Sequence, residues 1–539
     1  MSEFPTQTAH GPERLPQPSD LSAATAVRWL LWTLLALSAF RVFYLVVSPI
    51  ELSGDEAQYW DWARNLDWGY FSKGPVVAWC IAASCALLGD TELAIRLPAV
   101  LMLAAASGAM FLLARRIYGN RVALWAALLM QGVPIFAAFA IGMTIDPPYL
   151  LCWITALWLL HRAANDRRWW DWPLLGAAVG LGLLTKYTTA IFYPAALGYL
   201  LTDPARRRRL KHPLPWLSVL LSLAFLVPLL AWDSQHGWVN LQHNLGHTRV
   251  DEGFRLRPML SLEFVGGQLG VITPILAPMM VIAAVKRRKR DPLSFWFCVP
   301  LLGFFVLKSV QGRVNPNWPL AAWVTGFIAF CGHFLTAYPQ RNIHLRRLTR
   351  AAVLVPLIAT AVAHVVVVVP LPIPARYDHT LRMVGWSEIG REVGRIGNEL
   401  GPRHFIVSHQ RTLATRLAFY VPDKPRTYTL GHPWIVSSQH DLWPGYEHLT
   451  GYDAIYVLYD DKWTPDGDRP EPQLPGGFAR RFRSVEPRRF EVHDALGRTV
   501  RHYWIWVCRH QGAGPPPDRA AARSELHPSR TRGEQKESQ

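Results

Sequence analysis

Residues 54–75 read GDEAQYWDWARNLDWGYFSKGP, and they decide what kind of chain this is. Directly before them, Trp29 to Ser48 is an apolar run long enough to cross a bilayer. The chain leaves this greasy segment and at once presents Asp55, Glu56, Asp61, Asp67, a lone Lys73 and a set of tryptophans and tyrosines. Charges at a membrane boundary are costly, which makes such a loop a functional hypothesis by default.

Composition agrees. Half of the 539 residues are apolar and 24 are Trp, unusual for a soluble protein and ordinary for a polytopic one. The net charge of +17 does not point to nucleic acid. The basic residues sit in short blocks between apolar runs (Arg115-Arg116, Arg206 to Arg209 with Lys211, Lys286 to Arg290, Arg341 to Arg350), as the positive-inside rule produces at cytoplasmic loops. A nucleic-acid surface would gather them on one soluble face. Of the six cysteines, only Cys508 lies outside the apolar runs, so neither a disulfide framework nor a CxxC metal site is expected. The N-terminal segment lacks a signal-peptide layout, and the first apolar run reads as an uncleaved helix.

Candidate spans are 27–48, 97–115, 121–142, 148–163, 172–185, 188–201, 214–232, 264–285, 293–309, 317–336 and 350–370, about eleven in all. With a cytoplasmic N-terminal segment (1–26), every arginine-rich block falls inside. The loops 49–96, 143–147, 186–187, 233–263 and 310–316 then fall outside, with everything after Pro370. PVVAWCIAASCALL (75–88) is uncharged but short, which suits an interfacial or re-entrant helix. From residue 371 to 510 the pattern changes. HFIVSH, YDAIYVLYD and RHYWIWVCRH read as strands and TLATRLAFYV as a helix, giving a small outer α/β domain. Residues 511–539, rich in Pro, Arg, Ser and Glu, are expected to be disordered. The fold class is an all-α polytopic membrane domain (27–370) followed by this small α/β domain.

The outer loops then share a short set of charges: Asp55, Glu56, Lys73, Arg96, Asp146 in MTIDPPYL, Lys186 in LLTKYT and Arg313 in QGRVNPNWP, with Arg41 inside the first span. Such a set suits a phosphate held at the interface beside a working carboxylate. Lysine or arginine neutralises the phosphate without a metal, and the carboxylate takes a proton from an attacking hydroxyl. Each residue also has a plain structural reading. Asp55 and Asp146 suit helix N-caps, the latter followed by Pro147. Lys73, Lys186 and Arg41 suit snorkelling or intrabundle pairing. Trp60, Trp62, Trp68 and Tyr70 suit an interfacial aromatic belt. His236, His243 and His247 read as members of a solvated loop rather than a metal site.

The motifs resemble a known family. GDEAQYWDWARNLDWGYFSKGPVVAW is similar to the first outer loop of the GT-C glycosyltransferases that include protein O-mannosyltransferases and the lipid A aminoarabinose transferase (glycosyltransferase 39/83-like). TIDPPYLLCW resembles the family's second acidic motif, GLGLLTKYT its lysine segment and GRVNPNWPLAAW its late motif. TLATRLAFYVPDKPRTY resembles the start of its bacterial C-terminal domain. The Ser72-Lys73 pair is most similar to enzymes that modify lipid A or the lipopolysaccharide core, lipid-linked galacturonic acid transferases among them. The resemblance implies an inverting enzyme of the cytoplasmic (inner) membrane. Its donor is a polyprenyl-phosphate sugar, and its acceptor is an envelope glycolipid or glycan, lipid A or core first. It implies Asp55 as base, Asp146 as a second acid, and donor-phosphate binding by Lys73, with Lys186 and Arg313 as weaker assignments; Arg41 joins the phosphate-binding set on its charge within the first span. No cofactor is required by the resemblance, and Glu56 is left as an acid partner of open role, either structural or helping to bind a divalent ion. Gly74 replaces the usual first proline after the lysine, a departure expected to loosen the loop. A protein O-glycosyltransferase, a lipid-linked sugar flippase and an O-antigen ligase are the competing readings.

Overall fold

The computed structural model describes residues 20–512, apart from 167, 247–255, 337–341, 370–372, 374–376, 432–435, 460–471 and 495. His247 and the tail after Gly512 lie outside the described residues. The order of the N-terminal half is α1 (Ala23–Val47), α2 (Gly54–Ala63), α3 (Val76–Leu88), α4 (Glu92–Tyr118), α5 (Asn120–Gln131), α6 (Pro134–Phe139), α7 (Asp146–Asn165) and α8 (Asp171–Thr185). Among the described residues, five helices are long and apolar enough to cross a membrane: α1, α4, Pro213–Gln235, Pro292–Ser309 and Ile343–Val368. The pair Pro258–Ile272 and Leu276–Arg287, bent by 96°, is either a sixth, broken span or a re-entrant loop. Shorter apolar helices complete the bundle, α3 and α8 among them. Pro134 breaks the apolar run 121–142 into α5 and α6, because proline lacks the N–H that would continue the helix.

The helices pack around aromatic and alanine-rich seams. Trp153 of α7 meets Phe192 edge-on at 5.3 Å, and Phe192 meets Phe297 at 4.9 Å. The outer faces keep their apolar side chains exposed, Trp29, Trp32 and Phe43 on α1 and Leu357, Ile358 and Val365 on Ile343–Val368, as surfaces meant for lipid do.

The C-terminal part is a five-stranded mixed sheet in the order β2-β1-β3-β5-β4. Its strands are β1 (His404–Ser408), β2 (Thr427–Thr429), β3 (Asp453–Tyr459), β4 (Phe482–His493) and β5 (Thr499–Gln511). β1 runs parallel to β2 and β3, and β5 is antiparallel to β3 and β4. Strand alternation divides the apolar residues between two cores. Ile406, Ile455, Val457, Ile505 and Val507 meet Ile389, Val393 and Ile396 of the helix Trp386–Leu400. Phe405, Val407, Tyr456, Trp504 and Trp506 meet Tyr446 and Phe478 on the other face. The three strands read from sequence are present. β2 and β4 are additional: β2 is only three residues long, and in β4 FRSVEPRRFEVH is charged and mostly exposed, with Pro487 on an edge strand where the lost N–H costs little.

Residues 50–52 fasten this domain to the bundle. Glu51 accepts hydrogen bonds from the backbone N–H of Trp386 and, at 2.9 Å, Ser387, capping the helix Trp386–Leu400. The Leu52 N–H donates to Tyr420 Oη at 2.6 Å, and Arg416 Nε donates to the Leu52 carbonyl at 3.2 Å. Tyr420 Oη in turn donates to Glu92 at the start of α4. Trp386 is flanked by the guanidinium groups of Arg416 and Arg501, 3.7 and 3.8 Å from its ring centroid. Glu51→Ala removes both caps and should cost about 1–2 kcal/mol of domain stability. A lowered unfolding midpoint in detergent and faster proteolysis between the bundle and the sheet domain are the expected readouts; an unchanged midpoint contradicts the clamp.

Candidate active site

Ser53 begins α2 with a reciprocal capping box: its hydroxyl accepts the Glu56 N–H, and the Glu56 carboxylate accepts the Ser53 N–H. Asp55 is therefore not the cap. It stands exposed in the first helical turn and makes no hydrogen bond or ion pair among the described residues. Glu56, its neighbour, turns inward and is 3% exposed. Its carboxylate receives Arg96 Nε at 2.8 Å, Arg96 Nη2 at 3.1 Å and the Met143 N–H at 3.1 Å. Arg96 also donates to the carbonyls of Ile50 and Glu51, both at 2.9 Å, and lies 3.5 Å from the Glu92 carboxylate. Burial by itself pushes the Glu56 carboxyl up. The Arg96 guanidinium and the two backbone N–H groups outweigh burial and hold it below the ordinary carboxylate value. The geometry gives Glu56 a structural task.

Asp146 opens α7 and is 1% exposed. Ile145 holds the N-cap position, so Asp146 is not a cap either. Its two oxygens receive Lys186 Nζ at 2.8 Å and Asn317 Nδ2 at 3.0 Å. Lys186, which ends α8, also lies 5.1 Å from the Tyr149 ring centroid. The loop after Met143 that carries Asp146 hangs on Glu56, and so both acids of the outer face depend on one buried ion pair.

Lys73 faces this group. Its ammonium makes no hydrogen bond or ion pair among the described residues and lies within electrostatic reach of Lys186, Asp55, Asp146 and Arg411. Burial first, and the Lys186 charge second, lower its pKa from the ordinary lysine value. The loop beneath it is fixed by side chains reaching its backbone. Asn240 Nδ2 donates to the Lys73 carbonyl at 3.0 Å and to Tyr70 O, Asn244 donates to Ser72 O at 3.3 Å, and the Phe71 N–H donates to Gln439 at 2.7 Å. Gly74 does not loosen this loop. A Cβ there would stand 1.7 Å from the Leu184 carbonyl, so glycine is what allows the loop to seat on the end of α8 beside Lys186.

Other residues fall elsewhere. Arg41 is 2% exposed inside the bundle and donates to the side chain and carbonyl of Gln131. Arg313 is at the surface, paired with Glu263 at 2.8 Å. Neither is brought to the cluster around Lys73. Trp60, Trp62 and Tyr70 are buried, with Trp62 stacked on Tyr70 at 4.4 Å, so they form a core rather than an interfacial belt. Trp68 stays exposed. His236 stacks on Trp232 and His243 lies against Phe71. Among the described residues there is no group of three or more His, Cys, Asp or Glu suited to a metal ion.

Sequence reasoning missed three contributors. Asn317 stands inside the quoted NPNWP run, and its amide was a signal that could have been read. Asn240 and Arg411 reach the site through long-range folding. Arg411 begins the helix Arg411–Tyr420, whose Thr412 side chain touches Gly54, next to Asp55.

The model of the family described as dolichyl-phosphate-mannose-protein mannosyltransferase matches residues 72–232. The chain is 28% identical over 402 residues to the lipid A galacturonosyltransferase RgtD of Rhizobium johnstonii, covering 73% of this chain and 82% of that protein. It is 32% identical over 221 residues to the undecaprenyl phosphate-alpha-4-amino-4-deoxy-L-arabinose arabinosyl transferase of Pseudomonas paraeruginosa, covering 36% of this chain and 39% of that one. In structure it is similar to ArnT from Cupriavidus metallidurans bound to undecaprenyl phosphate, with a TM-score of 0.59 at 18% identity over 90% of this chain and 98% of that chain.

Glu56→Gln leaves the Arg96 charge buried and short of its partner, which should cost roughly 3–5 kcal/mol. In the unaltered protein the contribution of Glu56 is full above the ordinary carboxylate pKa and is lost as pH falls through its lowered folded value. Thermal unfolding in detergent across acid pH checks both; a variant as stable as the parent contradicts them.

Proposed function

We propose that the chain is a GT-C membrane glycosyltransferase with a multi-pass membrane fold, and that it moves a sugar from a polyprenyl phosphate to an envelope glycolipid of the lipid A or core class. The observation that carries this is an unpaired carboxylate, Asp55, within electrostatic reach of an unpaired ammonium, Lys73, beside a neutral Lys186–Asp146 pair. A donor phosphodiester brings one negative charge, which Lys73 matches. The acceptor hydroxyl attacks the anomeric carbon in line and loses its proton to Asp55. The bond from that carbon to the phosphate oxygen breaks, and the polyprenyl phosphate leaves with the added negative charge. Lys73 stabilises that charge as it develops. One in-line displacement inverts the anomeric centre. Asp146, held by Lys186 and Asn317, orients the acceptor side.

The site and the sheet domain are assigned to the outer side of the cytoplasmic membrane. The support is that an inside N-terminal segment puts every arginine block on the cytoplasmic side. The acceptor class rests on the relative with the widest coverage, a lipid A galacturonosyltransferase. The family model over 72–232 favours a second reading, a protein acceptor. A flippase is disfavoured because its charges would run through the membrane depth. No metal-dependent step is included.

Asp55→Asn should reduce transfer at least about 10³-fold at unchanged expression, read as loss of the sugar mass increment on lipid A or core. A normal increment rejects the assignment, and an increment on protein alone selects the second reading. The donor kcat/KM should fall on the alkaline side, as Lys73 deprotonates at a lower pH than an ordinary lysine. Lys73→Arg should move that fall to higher pH, and a limb that does not move excludes Lys73 as the group responsible.

A further inference from the structure

Arg411 is the cation that the proposed chemistry leaves unused. Its guanidinium is half-buried and makes no hydrogen bond or ion pair among the described residues. It lies within electrostatic reach of Lys73, Tyr59 and His440. Thr412, the next residue, faces Gly54, and the helix that Arg411 opens packs against α2, whose first turn carries Asp55. The other cations are accounted for: Lys186 is compensated by Asp146, Arg96 by Glu56, and Lys73 by the donor phosphate in the reading above. A planar guanidinium with free donors at the sugar end fits one ligand chemistry best, a carboxylate received by two parallel N–H groups.

We propose that Arg411 reads the carboxylate of a uronic acid on the donor, making this enzyme a uronosyltransferase. The proposal rests on the transfer reaction assigned above and names its sugar. It also separates the two sugar classes carried by the relatives' names. A 4-amino sugar is cationic at neutral pH and would meet Arg411, the cation left uncompensated once the donor phosphate matches Lys73. A uronate meets one that has no other partner. Attraction for the one and repulsion of the other give discrimination from a single residue. The sheet domain thereby contributes to specificity as well as covering the site. Arg411 is held in place because the helix it opens is docked by Arg416 and Tyr420.

The test uses the full-length enzyme in detergent with three synthetic donors on the same polyprenyl phosphate: galacturonic acid, galactose and 4-amino-4-deoxyarabinose. The unaltered enzyme should prefer the uronate donor. Arg411→Ala should lower kcat/KM for that donor about 10- to 100-fold, the loss of one charge-assisted contact. It should leave the galactose donor within about 2-fold, which also shows that the variant is folded, and Arg411→Lys should recover part of the loss. Equal losses with the uronate and galactose donors, no loss with either, or a preference of the unaltered enzyme for the amino sugar overturns the proposal. These results leave the transfer reading intact as long as Asp55→Asn abolishes transfer. No transfer from any of the three donors overturns both.

Discussion

The buried pair between Arg96 and Glu56 is the constraint on which the outer face is built. Four separate pieces of chain converge on it: the start of α4, the start of α2, the carbonyls of residues 50–51 and the N–H of Met143. A buried ion pair is weak evidence for net stability, since desolvation offsets much of its attraction, but removing one member is severe. Its effect here is positional. With Glu56 turned inward, Asp55, one residue earlier and about 100° around the helix, turns outward. Two adjacent acids that look equivalent in sequence are thus assigned opposite environments by the helical repeat and one arginine.

The same pair links chemistry to architecture. Residues 50–52 receive Arg96 on one side and the sheet domain on the other, through Glu51 and Leu52. The domain is therefore registered against α2 by the segment that also sets Asp55. A shift of the domain would move Arg411 relative to Asp55 and would disturb the backbone that Arg96 holds. In the proposed reaction, base, phosphate site and sugar-recognition site share one mechanical frame.

Much of this was legible in sequence because its signals are local. Apolar runs mark the long helices, alternation marks β1, β3 and β5, and lone charges beside apolar runs mark Asp55, Lys73, Asp146 and Lys186. What was not legible depends on partners far along the chain. Charge cost says that Arg41 needs a partner but does not say that Gln131 supplies it; that amide within an apolar run was the available clue. Tryptophans near a membrane fit a belt or a core equally well by composition; what buries them is long-range packing, Trp62 stacked on Tyr70 at 4.4 Å and Trp60 meeting Phe419 of the docked sheet domain edge-on at 4.9 Å. β4 escaped because edge strands carry the charges and proline that read as loop. Arg411 escaped because a basic residue at the start of a soluble helix has no local reason to be functional.

Gly74 has a kinetic meaning beyond its fit. The Leu184 carbonyl is a hard stop behind the Lys73 loop, since even a methyl group would overlap it. In front, the loop is held by hydrogen bonds from Asn240 and Asn244, which break and re-form far more easily than atoms interpenetrate. Fluctuations of the loop are therefore one-sided. The backbone beside Lys73 can lift away from α8 but cannot sink further into it. A departing lipid phosphate would then be released by the loop rising with its lysine, which makes the asparagine contacts, rather than the ionic ones, the natural setting for the off-rate.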